Sequence, residues 1–562
     1  MSAGRTPASW RRIAVVLVTA GAVLLPLGLV FYQSFLDAPF FQPSAKLSLG
    51  AYRFVLADSD FRRALGTTSL VALGMTAIAV PLGSVMAFFL VRTDLPGRRW
   101  LEPLVLVPIF LSPVVLGFGY VVSVGPVGFF SLPVKQALGA LPWDLYSLKS
   151  LIVIAGLTHI PHVYLYTSSA LRALGSDVEE AASVAGAGTA RIALTVSLPL
   201  VWPAIVYSGV LVFFLGFELF GLALILGDPE GLLVLSTYLY KLTNRLGVPS
   251  YQLMAVVAVV IVAIAFPLVA LQRRLLGMAA RFVTVRGKGA ARRPLPAGPW
   301  RWVGLGLVVA WLGVTVVVPV SGVFLRAVVS TWGEGVQLRE VLTLDNFREL
   351  FGYRNLVRGV LNTAGVGLLG GALSVACYTA IGLAAHRWRS GWARVLDYLV
   401  MIPRGMPGLV AGLAFLWVFL FFRPLSPLRG TVVSIWLAYT VVWLAYGMRL
   451  VSSALLQVSP ELEEAGLTVG ASPARLTRDV TLPLIRFGLL GSWLLIFMIF
   501  VREYSTGVYL LGPGSEVIGS LIVSLWATGA IDVVSALAVL DILLVGAGLA
   551  LALRLGVRLH EE

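Results

Sequence analysis

The sequence EAASVAGAGTARIALTVSLP, residues 180–199, is the stretch around which this chain is organised, because it occurs twice. The second copy, residues 464–483, reads EAGLTVGASPARLTRDVTLP, so every matched position lies 284 residues further on. Each copy belongs to a short polar segment of a very apolar chain and is followed at once by a hydrophobic run. We call residues 176–199 island 1 and residues 459–483 island 2.

The composition outside the islands is that of a polytopic membrane protein. Of the 562 residues, 58% are hydrophobic and only 12% are charged, whereas a soluble protein carries about 25% charged residues. A chain this apolar would aggregate unless lipid covered it. The 30 prolines and 58 glycines agree with this class, since transmembrane helices tolerate both residue types. The single cysteine, Cys377, rules out an internal disulfide, and we interpret it as a small buried hydrophobic residue.

The net charge of +15 does not indicate a nucleic-acid partner, because the basic residues are concentrated at places that a membrane topology explains. Cytoplasmic loops carry an excess of Lys and Arg, so this pattern places the N-terminus and the central linker in the cytoplasm. The first apolar segment is longer than the core of a signal peptide and is predicted to be a membrane span. The residues concerned are Arg5, Arg11 and Arg12 near the N-terminus, and Arg273, Arg274, Arg281, Arg286, Lys288, Arg292, Arg293 and Arg301 around the linker.

Hydropathy predicts about 12 transmembrane helices, six in each half of the chain, because a span needs about 20 apolar residues. Residues 1–272 form the first predicted repeat, 273–300 the basic cytoplasmic linker and 301–562 the second repeat. The predicted spans lie near 13–35, 64–91, 101–124, 150–172, 200–226 and 252–272, and near 301–325, 358–385, 395–422, 431–455, 484–511 and 533–555.

The two halves match outside the islands as well. Leu65–Thr68 corresponds to Leu361–Thr363, and Pro108 corresponds to Pro403 at a spacing of 295 residues. The first half therefore holds 11 extra residues, most simply in the loop 125–149. Six spans per half give parallel repeats, whereas an odd number would give inverted ones. The islands and the linker must share one side of the membrane, which favours the even number.

Each island is predicted to be a helix-turn-helix on the cytoplasmic face. In island 1, Ser176 caps the first helix with Glu179 as its capping-box partner, and in island 2 Ser459 caps and Pro460 takes the first helical position. The first helix stops at Gly186 or Gly470. A second helix starts at Thr189 in one copy and at Ser472-Pro473 in the other, and Pro199 and Pro483 mark the start of the next span.

Helices this short are not stable alone in water and must pack on something. Small residues leave a flat face for another protein, and Glu180 or Glu464 offers a fixed charge to a basic partner. A single copy would be read as an ordinary cytoplasmic loop with a surface helix. Two copies in equivalent places favour a docking function instead.

The repeated pattern resembles the EAA motif of the permeases of binding-protein-dependent ABC importers, and the resemblance covers nearly the whole chain as two permease domains fused in tandem. It implies an all-α polytopic fold like that of type I ABC importers, in which each motif forms a coupling helix that docks in a groove of the ATPase subunit. Gly466 replaces the second Ala of the motif and keeps the small face. The implied ATPase-coupling residues are Glu180, Ala181, Ala182, Gly186 and Pro199, and Glu464, Ala465, Gly466, Gly470 and Pro483.

The fused layout further resembles the iron(III)-type permeases, through residues 501–506 and 510–513 and the loop 125–130. Fused thiamine, polyamine and phosphonate permeases are similar. The resemblance implies two copies of an ABC ATPase as partners, an external substrate-binding protein that is periplasmic or lipid-anchored, and a location in the cytoplasmic or inner membrane of a bacterium or archaeon. It implies transport without enzymatic activity of its own and without a cofactor, and the surrounding partner is membrane lipid rather than nucleic acid.

The chain has no P-loop, since no Gly-x-x-x-x-Gly-Lys-Ser/Thr sequence occurs in it, so a separate subunit is expected to bind ATP. One rival hypothesis is an ion-coupled secondary transporter with Glu218, Glu503 and Asp541 as a relay, but it does not explain two islands at constant spacing. A second rival, a membrane-embedded enzyme, is disfavoured because no catalytic cluster is present.

Intramembrane charges are costly and are candidates for a translocation path. Glu218 and Glu503 follow the island prolines by 19 and 20 residues, and Asp541 lies in the last span. Arg404 lies in a span interrupted by Pro403 and Pro407, which Pro108 and Pro113 match in the first half, and paired interruptions of this kind point to a translocation path. The alternative is that these charges pair within the bundle or lie nearer the interface. His159 and His162 are predicted to be a polar pair or packing residues, and no metal site is predicted, because a closed site needs more ligands.

Overall fold

The computed structural model describes residues 8–175, 177–244, 250–279, 294–386, 388 and 390–555, and within them the chain is helical without a β-strand. Three isolated β-bridges are present, Leu36–Leu47, Thr93–Leu295 and Val329–Leu342. The first and third follow the first helix of each half, so they are repeat-related. The all-α prediction is confirmed.

The helices occur in a similar order in the two halves of the chain. The first half contains Ala8–Ser34, Gly50–Ala57, Ser59–Arg92, Arg98–Val105, Val107–Phe110, Pro113–Val124, Ser131–Leu138, Leu148–Ala173, Asp177–Val184, Thr189–Ile192, a π-helical turn Ala193–Ser197, Leu198–Leu200, Trp202–Glu218, Gly221–Leu226, a 3₁₀ turn Asp228–Glu230, Leu235–Asn244 and Tyr251–Ala279. The second half contains Trp300–Leu312, a π-helical turn Gly313–Val317, Val318–Ala327, a 3₁₀ turn Leu338–Glu340, Asp345–Gly352, Arg354–Gly365, a π-helical turn Val366–Gly370, Gly371–Ala385, Gly391–Met401, a 3₁₀ turn Ile402–Gly405, Gly408–Phe421, a 3₁₀ turn Ser426–Leu428, Val432–Val442, Leu444–Leu456, Pro460–Thr468, Pro473–Leu476, a π-helical turn Thr477–Thr481, Leu482–Arg502, a 3₁₀ turn Gly507–Leu510, Ile518–Ala527 and Ile531–Arg554.

Eight helices of the described chain are long and apolar enough to cross a membrane, and four bent pairs bring the number of candidate spans to as many as 12. The straight ones are Trp10–Ser34, Ser59–Arg92, Leu148–Ala173, Tyr251–Gln272, Trp300–Ala327, Arg354–Ala385, Pro473–Arg502 and Ile531–Ala552. The pairs are Arg98–Phe110 with Pro113–Val124, Thr189–Leu200 with Trp202–Glu218, Gly391–Gly405 with Gly408–Phe421, and Val432–Val442 with Leu444–Leu456. This confirms the expected membrane class and the number of about 12.

The third candidate span of each half is broken at a proline. Its two parts meet at 100° before Pro113 and at 109° around Pro407. Proline removes a backbone donor and disfavours the helical conformation of the residue before it, so both helices end there. The predicted pairing of Pro/Gly interruptions between the halves therefore corresponds to a matched pair of sharp bends.

The fifth span of each half is shorter at its far end than hydropathy predicts. The apolar run 200–226 is not one helix, because Trp202–Glu218 ends and Gly221–Leu226 begins separately after a non-helical break. In the run 484–511 the helix likewise ends at Arg502, and the 3₁₀ turn Gly507–Leu510 follows after a non-helical segment. A hydropathy average depends only on how apolar the residues are, so it does not show where a helix ends within an apolar run.

The described chain divides into two compact units that do not follow the two sequence halves. One, the C-unit, comprises residues 8–49, 350–524 and 540–555; the other, the N-unit, comprises 50–349 and 525–539. Ala8–Ser34 packs on Gly391–Met401 and Gly408–Phe421, which are parts of the second half. In the N-unit, Val318–Ala327 packs on Pro113–Val124 of the first half. The first helix of each half thus belongs to the unit built mainly from the other half.

A threonine of the second span fixes the start of a short helix in each half. Thr68 accepts the backbone N–H of Leu235 at 2.9 Å, and Thr363 accepts that of Ile518 at 2.8 Å. These residues open the helices Leu235–Asn244 and Ile518–Ala527, whose first amides have no partner inside the helix. The sequence match between Leu65–Thr68 and Leu361–Thr363 is explained by this shared cap.

The core of the C-unit is built from large buried aromatic residues that sit against glycines. Tyr378 is fully buried, and its hydroxyl donates to the carbonyl of Thr440 at 2.7 Å. A Cβ added at Gly447 would lie 2.1 Å from the Tyr378 ring. The helices Gly371–Ala385 and Leu444–Leu456 therefore pack closely only because residue 447 has no side chain.

An ion pair fixes the segment that precedes Ile518. Arg358 donates to both carboxylate oxygens of Glu516, at 2.7 and 2.5 Å, and the Gly514 amide donates to the same carboxylate at 3.0 Å. Burial alone would raise the pKa of Glu516, but these hydrogen bonds outweigh it and hold the pKa below its ordinary value. The carboxylate is therefore kept in its charged form.

Candidate functional site

Each island folds as two short helices joined at a glycine in the left-handed conformation. Gly186 has φ +86° and Gly470 has φ +84°. In both copies the two amides after the first helix bond back to it, from Gly186 to Ser183 and from Ala187 to Ala182 in island 1, with the same pattern in island 2. This is a Schellman-type end, which requires a residue that adopts positive φ. The predicted helix stops at Gly186 and Gly470 agree with the structure, and the backbone gives their reason.

The first helix of island 1 buries Glu179, which is 2% exposed, between two other elements. Arg92, the last residue of Ser59–Arg92, binds both carboxylate oxygens through Nε, at 2.9 Å, and Nη2. The Ser197 hydroxyl donates to Oε1 at 2.6 Å. The carboxylate is thus used by long-range donors, which the sequence analysis did not predict. The capping box predicted for Glu179 stays a prediction, because its partner Ser176 lies outside the described residues.

Island 2 repeats this arrangement 284 residues later with Glu463, which is 7% exposed. His386 Nε2 lies 3.1 Å from Oε1, and the Thr481 hydroxyl donates to the same oxygen at 3.4 Å. His386 is the C-cap residue of the helix Gly371–Ala385, so this contact, like that of Arg92, comes from the end of the second span. Ser459 occupies the predicted N-cap position, but its side chain makes no capping hydrogen bond.

The second helix of each island continues through a π-helical turn into the following helix. These turns, Ala193–Ser197 and Thr477–Thr481, lie at matched positions just before Pro199 and Pro483. A proline has no N–H to donate to the carbonyl four residues earlier, which explains the widened turn. Both prolines are exposed near a helix start and inside continuous helical stretches, so they mark the predicted transition but do not break the chain there.

The motif residues proposed for docking are on the outer face of the islands. Glu180 and Glu464 are exposed, as are Ala181 and Ala465. Val184 and Val469 beside the turns are 90% and 84% exposed. Each island therefore has an outer face, with a charge and an apolar side chain, that the rest of the described chain does not cover.

Gly466, the one departure from the motif, has a packing reason inside its own island. A Cβ at this position would lie 2.5 Å from Cδ1 of Leu476, a residue of the second island helix. In island 1 the corresponding residues are Ala182, which is half-buried, and Ile192, which is buried. The departure therefore matches a change of the facing side chain, and the sequence argument from a small outer face did not find it.

Half of the predicted linker, residues 280–293, lies outside the described residues, as do Arg5 and the basic residues Arg281, Arg286, Lys288, Arg292 and Arg293. Its described end contacts island 1. Leu295 pairs with the chain at Thr93, and the Ala297 amide donates to the Asp94 carboxylate at 2.8 Å. The Thr189 hydroxyl donates to the carbonyl of Pro296 at 2.6 Å. Thr189 thus begins the second island helix while its side chain holds the linker.

Two of the four candidate path charges occur together in the C-unit. Glu503 is 8% exposed and accepts hydrogen bonds from the Ser505 hydroxyl, the Thr506 amide and the Trp443 indole, at 2.8, 3.1 and 3.2 Å. Asp541 is 2% exposed, and its Oδ1 accepts no hydrogen bond from the described residues. Both carboxylates interact electrostatically with Tyr439, so they line one polar region inside this unit.

The other two charges lie apart from this region in the sequence. Arg404 lies in the 3₁₀ turn Ile402–Gly405 at the bend of the third span, and its Nε has no hydrogen-bond partner among the described residues. Glu218 is half-buried at the last position of Trp202–Glu218 in the N-unit. The matched carboxylates Glu218 and Glu503 thus both lie where a fifth-span helix ends.

The histidine pair does not form a metal site within the described chain. His159 and His162 stack with ring centroids 5.3 Å apart, and His159 Nδ1 lies 2.7 Å from the carbonyl of Ala155. No group of three or more His, Cys, Asp or Glu side chains in the described ranges is arranged to hold a metal. The ring pair therefore fits the predicted packing or polar role.

Comparison with known proteins identifies the repeated unit. The family described as "Binding-protein-dependent transport system inner membrane component" matches residues 79–277 and again residues 378–559. The chain is 24% identical over 527 residues to the Fe(3+)-transport system permease protein FbpB 2 of Haemophilus influenzae, covering 93% of each chain. It is 23% identical over 517 residues to the putative ferric transport system permease protein FbpB 1 of the same organism, covering 90% of this chain and 78% of the relative. A solved inward-facing structure of the MetNI methionine ABC transporter matches 35% of this chain and 95% of its own, with 22% identity and a TM-score of 0.30.

Proposed function

This chain belongs to the family of binding-protein-dependent transport system inner membrane components, which it matches twice, and from that premise we propose that its islands are the two docking sites of an ABC ATPase pair. The chain is the membrane-spanning permease subunit of an ABC importer, with two permease domains in tandem. In the proposed complex one ATPase subunit binds each island. The observation that carries this proposal is the matched exposure of Glu180 and Glu464 on two islands of equal geometry.

The exposed face of each island supports a protein partner rather than a small ligand. Its charge is carried by a short helix that a Schellman turn ends, and its apolar residues point away from the rest of the chain. A partner with a basic groove would neutralise the carboxylate and cover the valines. ATP binding that closes the ATPase pair would then move the islands, because only contacts that differ between two states shift an equilibrium.

ATP hydrolysis is assigned to the separate subunit, since the sequence contains no P-loop. Substrate is delivered by an external binding protein on the opposite face of the membrane. We assign iron(III) as the substrate because relatives described as ferric or Fe(3+) permeases align over at least 90% of this chain. Glu503, Asp541, Arg404 and Glu218 are proposed to line the path, and the N-terminus and the linker are proposed to be cytoplasmic.

The test of the docking proposal is the double variant E180K/E464K. It should insert normally but lose ATPase binding and ATP-driven uptake, because a lysine repels a basic groove. The matched control is D177K, which makes the same charge change at an exposed position of the same helix. Wild-type ATPase binding and uptake by E180K/E464K would overturn the docking proposal.

The substrate assignment is tested separately. Proteoliposomes that contain the permease, its ATPase and the binding protein should accumulate radioactive iron(III) when ATP is supplied. Uptake of thiamine, putrescine or a phosphonate in place of iron would reassign the substrate. Uptake that follows an ion gradient without ATP would refute the importer itself.

A further inference from the structure

The buried face of each island carries a carboxylate that the docking proposal does not use. Glu179 and Glu463 each point away from the exposed face and are less than a tenth exposed. Each contacts two elements besides its own helix. One is the end of the second span, through Arg92 or His386, and the other is the start of the fifth-span helix, through Ser197 or Thr481.

The same three-element contact occurs in both copies. Guanidinium and hydroxyl groups bind the carboxylate in island 1, and imidazole and hydroxyl groups bind it in island 2. A chance surface contact would not recur at the equivalent residue of both repeats. The recurrence of an acid with donors from the same two elements indicates a shared task.

The physical chemistry of these sites makes them stiff connections. In island 1 the carboxylate is buried against a guanidinium group, and little solvent screens the two charges. Arg92 binds both oxygens of Glu179 and Ser197 shares Oε1, whereas His386 and Thr481 both contact Oε1 of Glu463. In each island, contacts from two elements thus fix the orientation of the carboxylate. A displacement of the island must therefore displace the end of the second span and the start of the fifth-span helix, or break the buried contacts.

We infer that Glu179 and Glu463 are positioning residues that transmit the movement of each island to the second and fifth spans. This inference rests on the proposed docking function and adds that two adjacent glutamates of one helix have different roles. Glu180 and Glu464 bind the partner, whereas the preceding glutamates connect the island to the membrane helices. Neither Glu179 nor Glu463 needs to contact the ATPase.

The experiment compares Glu179, its partner Arg92 and the neighbouring Asp177 in the full chain, reconstituted with its ATPase and binding protein. E179Q and R92Q should retain ATPase binding and basal ATP hydrolysis, lose the stimulation of hydrolysis by loaded binding protein, and take up substrate about tenfold more slowly. The charge-retaining E179D should recover part of the uptake that E179Q loses. D177N, an exposed control on the same helix, should behave like the unmodified chain.

A further variant keeps the test decisive if the single changes prevent folding. R92Q/E179Q leaves no unpaired buried charge, which is the costly consequence of removing one partner. Slow, unstimulated transport by this double variant with normal ATPase binding would support the inference. Normal coupling in it would overturn the inference.

Two further outcomes separate this inference from the docking proposal. If E179Q loses ATPase binding to the same extent as uptake, Glu179 belongs to the docking surface and the assignment of different roles to the two glutamates is wrong. If the unmodified chain binds no ATPase, the docking proposal itself fails. Equivalent results for E463Q in island 2 are required, since the argument depends on both copies.

Discussion

Replacing Gly186 by alanine should loosen the first helix of island 1 without disturbing any side-chain contact. Gly186 has φ +86°, and a Cβ built on it meets no atom within 4 Å. The change therefore acts through the backbone alone. Its effect should appear in the hydrogen exchange of the helix Asp177–Val184, whose end depends on the left-handed turn.

The magnitude follows from two opposing terms. An L-residue other than glycine pays about 1–2 kcal/mol in the left-handed region. Alanine also restricts the unfolded chain and recovers about 0.4–1 kcal/mol. The net loss is about 1 kcal/mol, so the amides of this helix should open about fivefold more often.

The assay is hydrogen exchange of the purified permease followed by mass spectrometry of island peptides. Gly188 supplies the matched control, because it also has open space at its Cβ but adopts an extended conformation with φ −71°. G188A should leave protection unchanged or raise it slightly. Island 2 is an internal reference in G186A, and the roles reverse in G470A, where φ is +84°.

Two results would refute this reasoning. One is an equal loss of protection in G186A and G188A, which would show that any added methyl group disturbs the turn. The other is unchanged protection in both G186A and G470A, which would show that the left-handed glycine does not limit the stability of the island helix.

Three further changes test the packing of the C-unit. G447A should cost about 1–3 kcal/mol of stability and so lower the thermal unfolding temperature, because its methyl group would overlap the Tyr378 ring. T363V should cost a similar amount, about 1–3 kcal/mol, since the buried Ile518 amide loses its acceptor. E516Q should reduce the loss of thermal stability that the unmodified chain shows as the pH falls below about 4, because a depressed carboxyl pKa stabilises the fold only above that range.

These predictions have their own controls in the same unit. A Cβ at Gly546 meets no atom within 4 Å, so G546A should leave the unfolding temperature unchanged. T363S keeps the hydroxyl and should retain most of the stability lost in T363V. An unchanged melting temperature in G447A, or a loss of stability in acid that is as large in E516Q as in the unmodified chain, would contradict the contacts described for these residues.

The sequence predicted those features that depend on local pattern. The number of spans followed from runs of apolar residues, and the helix stops at Gly186 and Gly470 followed from residue type. The paired interruptions at Pro113 and Pro407 were also visible, because proline breaks a helix wherever it occurs. The structure adds the bend angles, which depend on packing.

Other features depend on contacts between distant residues and had no local signal. Glu179 was assigned to a cap three residues away, but its partner Arg92 lies 87 residues earlier. A signal existed in retrospect, since an arginine ends an apolar span in one half and a histidine follows the matched span in the other. No sequence pattern predicted that Ala8–Ser34 packs on helices of the second half, because a uniformly apolar helix does not identify its neighbour.

That grouping has a consequence for how the chain is made. Ala8–Ser34 is synthesised before the helices on which it packs, the first of which, Gly391–Met401, begins about 360 residues after Ser34. At a synthesis rate of about 5–20 residues per second, it remains in the bilayer for roughly 20–70 s before its site exists. A low degree of burial is compatible with this delay. Only 28% of the apolar 18-residue segment of this helix is buried, as in Trp300–Ala327, compared with 44–56% in the other straight spans. Lipid can cover the large part of its surface that other helices do not bury. The helix can therefore remain in the bilayer as a stable single helix until its neighbouring helices are synthesised.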